Sequence, residues 1–128
     1  MKFLLDVNVI VAALLPAHAE RARFVGWAGR FRPADFANCA LTELGFIRVA
    51  MVAYGYSITD ARAMLRQLRR DGVGYLGNLP RPAEVMPSWV AGHRQTTDAY
   101  LCAVAAAHGL RLATFDTSIK DRAVELIA

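Results

Sequence analysis

Cysteine and histidine are both scarce in this chain of 128 residues, and their scarcity removes several chemistries at once. The two cysteines, Cys39 and Cys102, lie far apart and match no metal or redox spacing, so neither a disulfide framework nor a thiolate metal site is expected. Both fall in apolar segments, which reads as buried free thiols in a reducing compartment. None of the three histidines has a second histidine at ligand spacing, so histidine catalysis is not expected. His18 reads as a surface or helix-start residue, and His108 before Gly109 as the end of a helix. No apolar run approaches the roughly 20 residues of a membrane span. Asp6 and Asn8 break the apolar stretch between Lys2 and the small-residue triplet Ala17-His18-Ala19, so no signal peptide is expected. With no repeat, low-complexity tract or linker either, the expected protein is cytoplasmic, with no membrane partner.

What remains is apolar and basic. The length fits one domain over residues 1–128, large enough to bury a core without staples. A hydrophobic fraction of 55% and a mean hydropathy of +0.28 are high for that size. Either alanine-rich helices inflate both figures, or apolar surface is covered by a partner. Lysine occurs only as Lys2 and Lys120, so the net charge of +4 and the pI near 9.5 are carried mainly by arginine. The planar guanidinium fork suits phosphate, and a basic surface steers polyanions. Arg62, Arg66, Arg69 and Arg70 make a basic helical face, either simply solvated or in contact with a partner.

Strand and helix patterns alternate, which predicts an α/β fold with a mainly parallel sheet of four to five strands. Strands are expected near 2–6, 35–39, 73–76, 110–115 and 124–127. Helices are expected over 9–15 (ended by Pro16), 18–30, about 41–54 (ended by Gly55), 60–71 (capped by Thr59-Asp60) and 97–108 (capped by Thr96 or Thr97). A short helical turn is expected at 117–120. The segment 77–95, with Pro80, Pro82 and Pro87, is irregular apart from a short helix near 82–91.

Four acids, Asp6, Glu43, Asp98 and Asp116, sit at the starts of helices or just after strands. In a parallel sheet these junctions share one edge, so carboxylates remote in sequence would meet there. Singly, each reads equally well as a helix cap that satisfies free backbone N–H groups. Together they would repel one another without a cation, and Mg²⁺ or Mn²⁺ prefers such oxygen donors.

The strings Leu4-Leu5-Asp6-Val7-Asn8-Val9-Ile10, Thr42-Glu43-Leu44-Gly45-Phe46-Ile47-Arg48, Thr97-Asp98-Ala99-Tyr100-Leu101 and Leu112-Ala113-Thr114-Phe115-Asp116 resemble PIN domains of the VapC toxin type, in order and separation, over essentially the whole chain. The resemblance implies a PIN-like three-layer α/β/α fold and a metal-dependent endoribonuclease, the toxin of a toxin–antitoxin pair. It implies that Asp6, Glu43, Asp98 and Asp116 form the catalytic pocket. Asp6, Asp98 and Asp116 would ligate Mg²⁺ or Mn²⁺, and Glu43 would bind metal or orient the nucleophile. It further implies an RNA substrate, a homodimer and a cognate antitoxin. Val7 departs from the hydroxyl residue common after the first Asp. Asn8 keeps the next polar position, and Thr114 either places a hydroxyl beside the pocket or closes an ordinary strand end. His93 and Arg94 are weaker candidates for substrate phosphate, against a solvated loop.

Two other readings fit parts of the pattern. In a haloacid-dehalogenase-like phosphatase Asp6 would be the nucleophile. Asn8 stands where that family expects a second Asp, and no lysine is suitably placed. In a silent PIN-like binding domain the pocket would no longer turn over, which the full set of four acids argues against.

Overall fold

Apolar patterning makes strand and helix alternate, and the resulting sheet is parallel throughout. The computed structural model describes residues 1–128 and contains β1 (Phe3–Leu5), β2 (Phe36–Cys39), β3 (Gly74–Leu76), β4 (Arg111–Thr114) and β5 (Val124–Leu126). Their spatial order is β3-β2-β1-β4-β5, and every neighbouring pair is parallel. The helices are α1 (Val7–Leu14), α2 (Arg21–Ala28), α3 (Ala40–Tyr54), α4 (Ile58–Arg70), α5 (Pro82–Val85) and α6 (Thr96–Ala107). The chain starts at the centre, lays strands outward to β3, then returns to place β4 on the other side of β1. The order therefore reverses between β1 and β4, where open α/β sheets form their crevice.

Successive residues of a strand point to opposite faces, and the core divides accordingly. Phe3, Leu5 and Phe36 join Val9, Phe46, Ala61 and Leu65 in one core, beneath α1, α3 and α4. Leu4, Ala37, Cys39 and Leu112 join Leu101, Cys102 and Val104 of α6 in the other. These two cores are the two interfaces of a three-layer α/β/α sandwich. Trp27 of α2 closes the first one, its ring centroid 4.9 Å from Phe3 and 5.5 Å from Phe36.

Several element boundaries differ from those the sequence suggests. Helix α1 begins at Val7 because the Asp6 carboxylate caps it, accepting the Val7 N–H at 2.8 Å. Ser57 caps α4, its hydroxyl accepting the Asp60 N–H at 3.0 Å, so Thr59 and Asp60 lie inside the helix. No side chain caps α6. A 3-10 turn over His93–Gln95 leads into it, and the Thr96 hydroxyl donates back to the His93 carbonyl. Thr117 and Ser118 form a turn stabilised by Asp116, and residues 119 and 120 follow without regular structure, so no helical segment forms there. In the 77–95 segment the helix shrinks to four residues. That stretch is held by the Trp89 indole donating to Asp121 and the Tyr100 hydroxyl donating to the Pro80 carbonyl. Gly55 ends α3 with φ +70°, a left-handed conformation that glycine adopts without a Cβ clash.

Val7 gains a structural explanation. A Cβ built on Gly45 of α3 would lie 2.5 Å from a Val7 methyl, so the bare glycine backbone is the notch that receives this side chain. Gly45→Ala is therefore expected to destabilise by about 1–3 kcal/mol, as overpacking does. Adding Val7→Ala should recover most of that loss in urea titration. Additive losses in the double variant would show that the two positions do not clash.

Candidate active site

Two strand ends and one helix start bring three acids to the switch point. Asp6 follows β1, Asp116 follows β4, and Asp98 occupies the first turn of α6. All three line one cleft of about 370 Å³, together with Val7, Asn8, His18 and residues Val49, Ala53 and Tyr54 of α3. Asp6 is 6% exposed, whereas Asp98 and Asp116 are half-buried.

A polar clamp fixes the base of the cleft. The buried Thr114 hydroxyl donates to Asp6 Oδ2 at 2.7 Å, while Asp6 Oδ1 accepts the Val7 N–H. Asn8 Nδ2 approaches Thr114 Oγ1 at 3.3 Å, and Asn8 Oδ1 accepts the Phe115 N–H at 3.3 Å. The Asp116 N–H donates to Thr114 Oγ1 at 3.1 Å. Asp116 in turn accepts both the N–H and the hydroxyl of Ser118, at 2.8 and 2.6 Å. Asn8 and Thr114 thus tie the β1–α1 junction to the end of β4, and Thr114 aims the first carboxylate. Thr114 is both a strand-end partner and a neighbour of the acids.

Electrostatics record the crowding. Burial, reinforced by the nearby charges of Asp6 and Asp116, pushes the Asp98 carboxyl up to about 6. Burial also raises Asp6, with Asp116 adding to it and the bonds from Thr114 and Val7 opposing it. This is the chemistry of a cation site: three carboxylates share the cleft, and burial with neighbouring negative charge makes Asp6 and Asp98 costly to ionise. No group of three or more His, Cys, Asp or Glu side chains is gathered tightly enough to enclose an ion by itself. Mg²⁺ needs no such cage, because it keeps several waters and takes one or two carboxylates directly. The residues present fit such an ion.

The raised Asp98 value has a thermodynamic consequence. Between the ordinary 3.8 and about 6 the folded protein holds this proton more tightly than the unfolded chain does. Stability of the metal-free protein therefore falls as pH rises through that window. In chelator, Asp98→Asn should flatten this fall and melt above wild type at neutral pH, whereas added Mg²⁺ should raise only the wild-type Tm. Identical melting profiles for the two proteins across that window would refute the assignment.

Other candidates are placed differently. Glu43 lies in the first turn of α3 but lines a neighbouring cleft with Asn38, Arg66 and Arg69. Burial raises its carboxyl and Arg69 partly offsets that. His93 and Arg94 are exposed on the 3-10 turn and line no part of the acid cleft. His18 does line it, with Nδ1 accepting the Glu20 N–H at 3.0 Å and its ring 6.3 Å from Tyr54. Neither His18 nor Tyr54 carries a sequence signal for this position: the connection after α1 brings His18 and the end of α3 brings Tyr54. Lys2 and Lys120 are both absent from the cleft lining, in keeping with the poor fit of a phosphatase that needs a lysine there.

Comparison with known proteins agrees with this geometry. The family model described as PIN domain matches residues 3–125. Ribonuclease VapC38 of Mycobacterium tuberculosis is 36% identical over 121 residues, covering 91% of this chain and 86% of the relative. Ribonuclease VapC44 of the same species is 35% identical over 131 residues, covering 97% and 92%. Among solved structures, FitAcB from Neisseria gonorrhoeae superposes with a TM-score of 0.61 at 25% identity, covering 90% of this chain and 88% of that one. FitAB bound to an IR36 DNA fragment gives the same score and identity, covering 90% and 85%. The parallel sheet, the acids at its switch point and these likenesses together place the chain in the PIN domain family, among its VapC ribonucleases.

Proposed function

We propose that this chain is a metal-dependent endoribonuclease and the toxin of a toxin–antitoxin pair. The observation that carries the reading is the convergence of Asp6, Asp98 and Asp116 on one cleft at the sheet's switch point. Asp6 and Asp98 are the residues assigned to hold Mg²⁺ or Mn²⁺, with Asp116 beside them. When bound, such an ion activates water and neutralises charge on a phosphoryl oxygen. The protein's own part is positioning. Thr114 and the α1 N-terminus hold the Asp6 carboxylate in one orientation, and Asn8 ties the start of α1 to Thr114 and Phe115 at the end of β4. Glu43 keeps its proposed part as a metal-binding or nucleophile-orienting carboxylate, although it lines the cleft of Asn38, Arg66 and Arg69 and not that of the three acids.

Partner contacts are also assigned. Leu44, Met51, Val52 and Tyr54 of α3 and Ile58 of α4 are large apolar side chains left exposed, which supports a homodimer or antitoxin contact on these helices. An antitoxin arginine entering the acid cleft would neutralise it and block the site. No helix is long and apolar enough to cross a membrane. The whole of residues 1–128 is assigned to one PIN domain.

Incubation of purified protein with total RNA and Mg²⁺ or Mn²⁺ tests the activity. Internal cleavage that stops in chelator is the expected result. RNA left intact with either metal, while a small phosphomonoester is hydrolysed, would overturn it in favour of a phosphatase. Sequencing of the new RNA ends would then name the target.

A further inference from the structure

The acid cleft is a trough between α1 and α3, and only one end of it is acidic. At that end Val7, next to Asp6, packs on Gly45 of α3. Asp98 and Asp116 share this end, close enough to Asp6 that the three charges act on one another. The lining then follows both helices away from the sheet edge, through Val11 on one side and Val49, Ala53 and Tyr54 on the other. At the far end the His18 and Tyr54 rings lie 6.3 Å apart. Asp6 caps the start of α1, and the His18 N–H donates to the carbonyl of Leu15, which caps its end. The helix between those caps has 8 residues, a length of about 12 Å. The imidazole and the carboxylates therefore meet different parts of whatever the trough holds.

His18 is fixed in place and in tautomer. Its N–H bonds the Leu15 carbonyl at 3.0 Å, and its carbonyl accepts the Arg21 N–H at 3.1 Å. Nδ1 accepts the Glu20 N–H, so the proton of the neutral ring sits on Nε2. Nε2 has no partner in the protein, and unlike Trp27 Nε1 it is not sealed from solvent. Arg21 donates to the Ala12 and Ala13 carbonyls, which offsets the negative end of α1 beside His18. Val11, Val49 and Ala53 have no hydrogen-bonding side chain, and His18 is the one basic group in the lining. A fixed donor across an apolar span from the acids suits an anionic oxygen on a strand whose next phosphate sits at the acids. Given the ribonuclease reading, on which this step rests, we infer that His18 Nε2–H donates to an RNA phosphate flanking the scissile one and so positions the strand along α1. Contacts of this kind fix register and orientation without reading sequence.

His18→Asn separates this contact from a structural role. Asparagine readily accepts a backbone N–H two residues on, so the variant keeps the bond from Glu20 and the Tm while losing the donor at Nε2. On single-stranded RNA that spans the cleavage site it should raise KM about tenfold at unchanged kcat, as loss of one hydrogen bond to a charged group outside the reacting centre does. Removing the flanking nucleotide from the RNA should raise the wild-type KM likewise and cancel the difference between the two proteins. NMR gives a reading that does not depend on turnover. Isotope-labelled Asp98→Asn protein, which should leave RNA uncut, is titrated with short single-stranded RNA of mixed sequence and separately with inorganic phosphate. RNA should shift the His18 ring nitrogens, Nε2 most, together with the Tyr54 ring signals. The inference is overturned if His18→Asn keeps the wild-type KM, or if it lowers kcat at unchanged KM, which would put His18 at the scissile phosphate. It is also overturned if phosphate alone reproduces the shifts, or if RNA leaves the signals unmoved, as a trough kept for a protein partner would. Wild-type cleavage with unmoved signals overturns only this inference. Shifted signals without cleavage by the wild type leave the RNA contact standing and overturn the nuclease reading.

Discussion

Asp98→Asn should lower RNA cleavage by about 10²–10³-fold or more while the protein stays folded, the range seen when one preorganised electrostatic group is removed from an active site. Asp98 is the acid whose ionisation the cleft opposes most visibly, because burial and two neighbouring carboxylates act on it together. A bound cation would relieve that cost, so the isosteric amide should remove affinity for the ion along with the activity. Asp6→Asn should lose as much. It also disturbs the bonds to Thr114 and Val7, so its folded state needs checking by circular dichroism. The diagnostic pairing is lost cleavage with retained or increased thermal stability in chelator. A folded Asp98→Asn protein that cleaves RNA at the wild-type rate would remove this carboxylate from the mechanism.

Phe46→Ala should be the most damaging single truncation for stability, at about 3–5 kcal/mol. Phe46 is completely buried at the centre of the core between the sheet and α3. Its neighbour Gly45 is locked against Val7, so α3 has little freedom to slide inward and fill the void. For a domain of this length the loss corresponds to a fall in Tm of roughly 10–20 °C. Differential scanning calorimetry reads it directly, and a fall of only a few degrees would mean that the core collapses around the cavity. Activity should drop as well, because α3 supplies Val49, Ala53 and Tyr54 to the acid cleft and Glu43 to its neighbour.

Much of this was legible before any coordinates. Alternation of strand and helix patterns indicated a parallel sheet, and parallel sheets collect their strand-to-helix junctions at one edge. Asp6, Asp98 and Asp116 are therefore adjacent for a topological reason that a linear reading can reach. The strands and longer helices fell within a few residues of their expected bounds, since each is anchored by a local signal such as Pro16 or Gly55. Capping was less legible. Ser57 and Thr59 are equally good cap residues by type, and only backbone geometry chose Ser57.

Glu43 marks the boundary between the two kinds of information. Sequence determined that it opens a helix on the carboxyl edge of the sheet, because both facts follow from strand–helix order. Which cleft it lines depends on how α4 packs against α3, and that placed Arg66 and Arg69 beside it. The arrival of His18 and Tyr54 in the cleft of the acids is of the same kind. The chain by itself determined the layers, the sheet direction and a set of four acids on the carboxyl edge, since these follow from local periodicity and chain order; that only three of them share one cleft came from the packing. Tertiary structure alone decided the side-chain neighbours across helices, because rotation and tilt of packed helices are set by contacts between residues far apart in the chain, such as Gly45 with Val7.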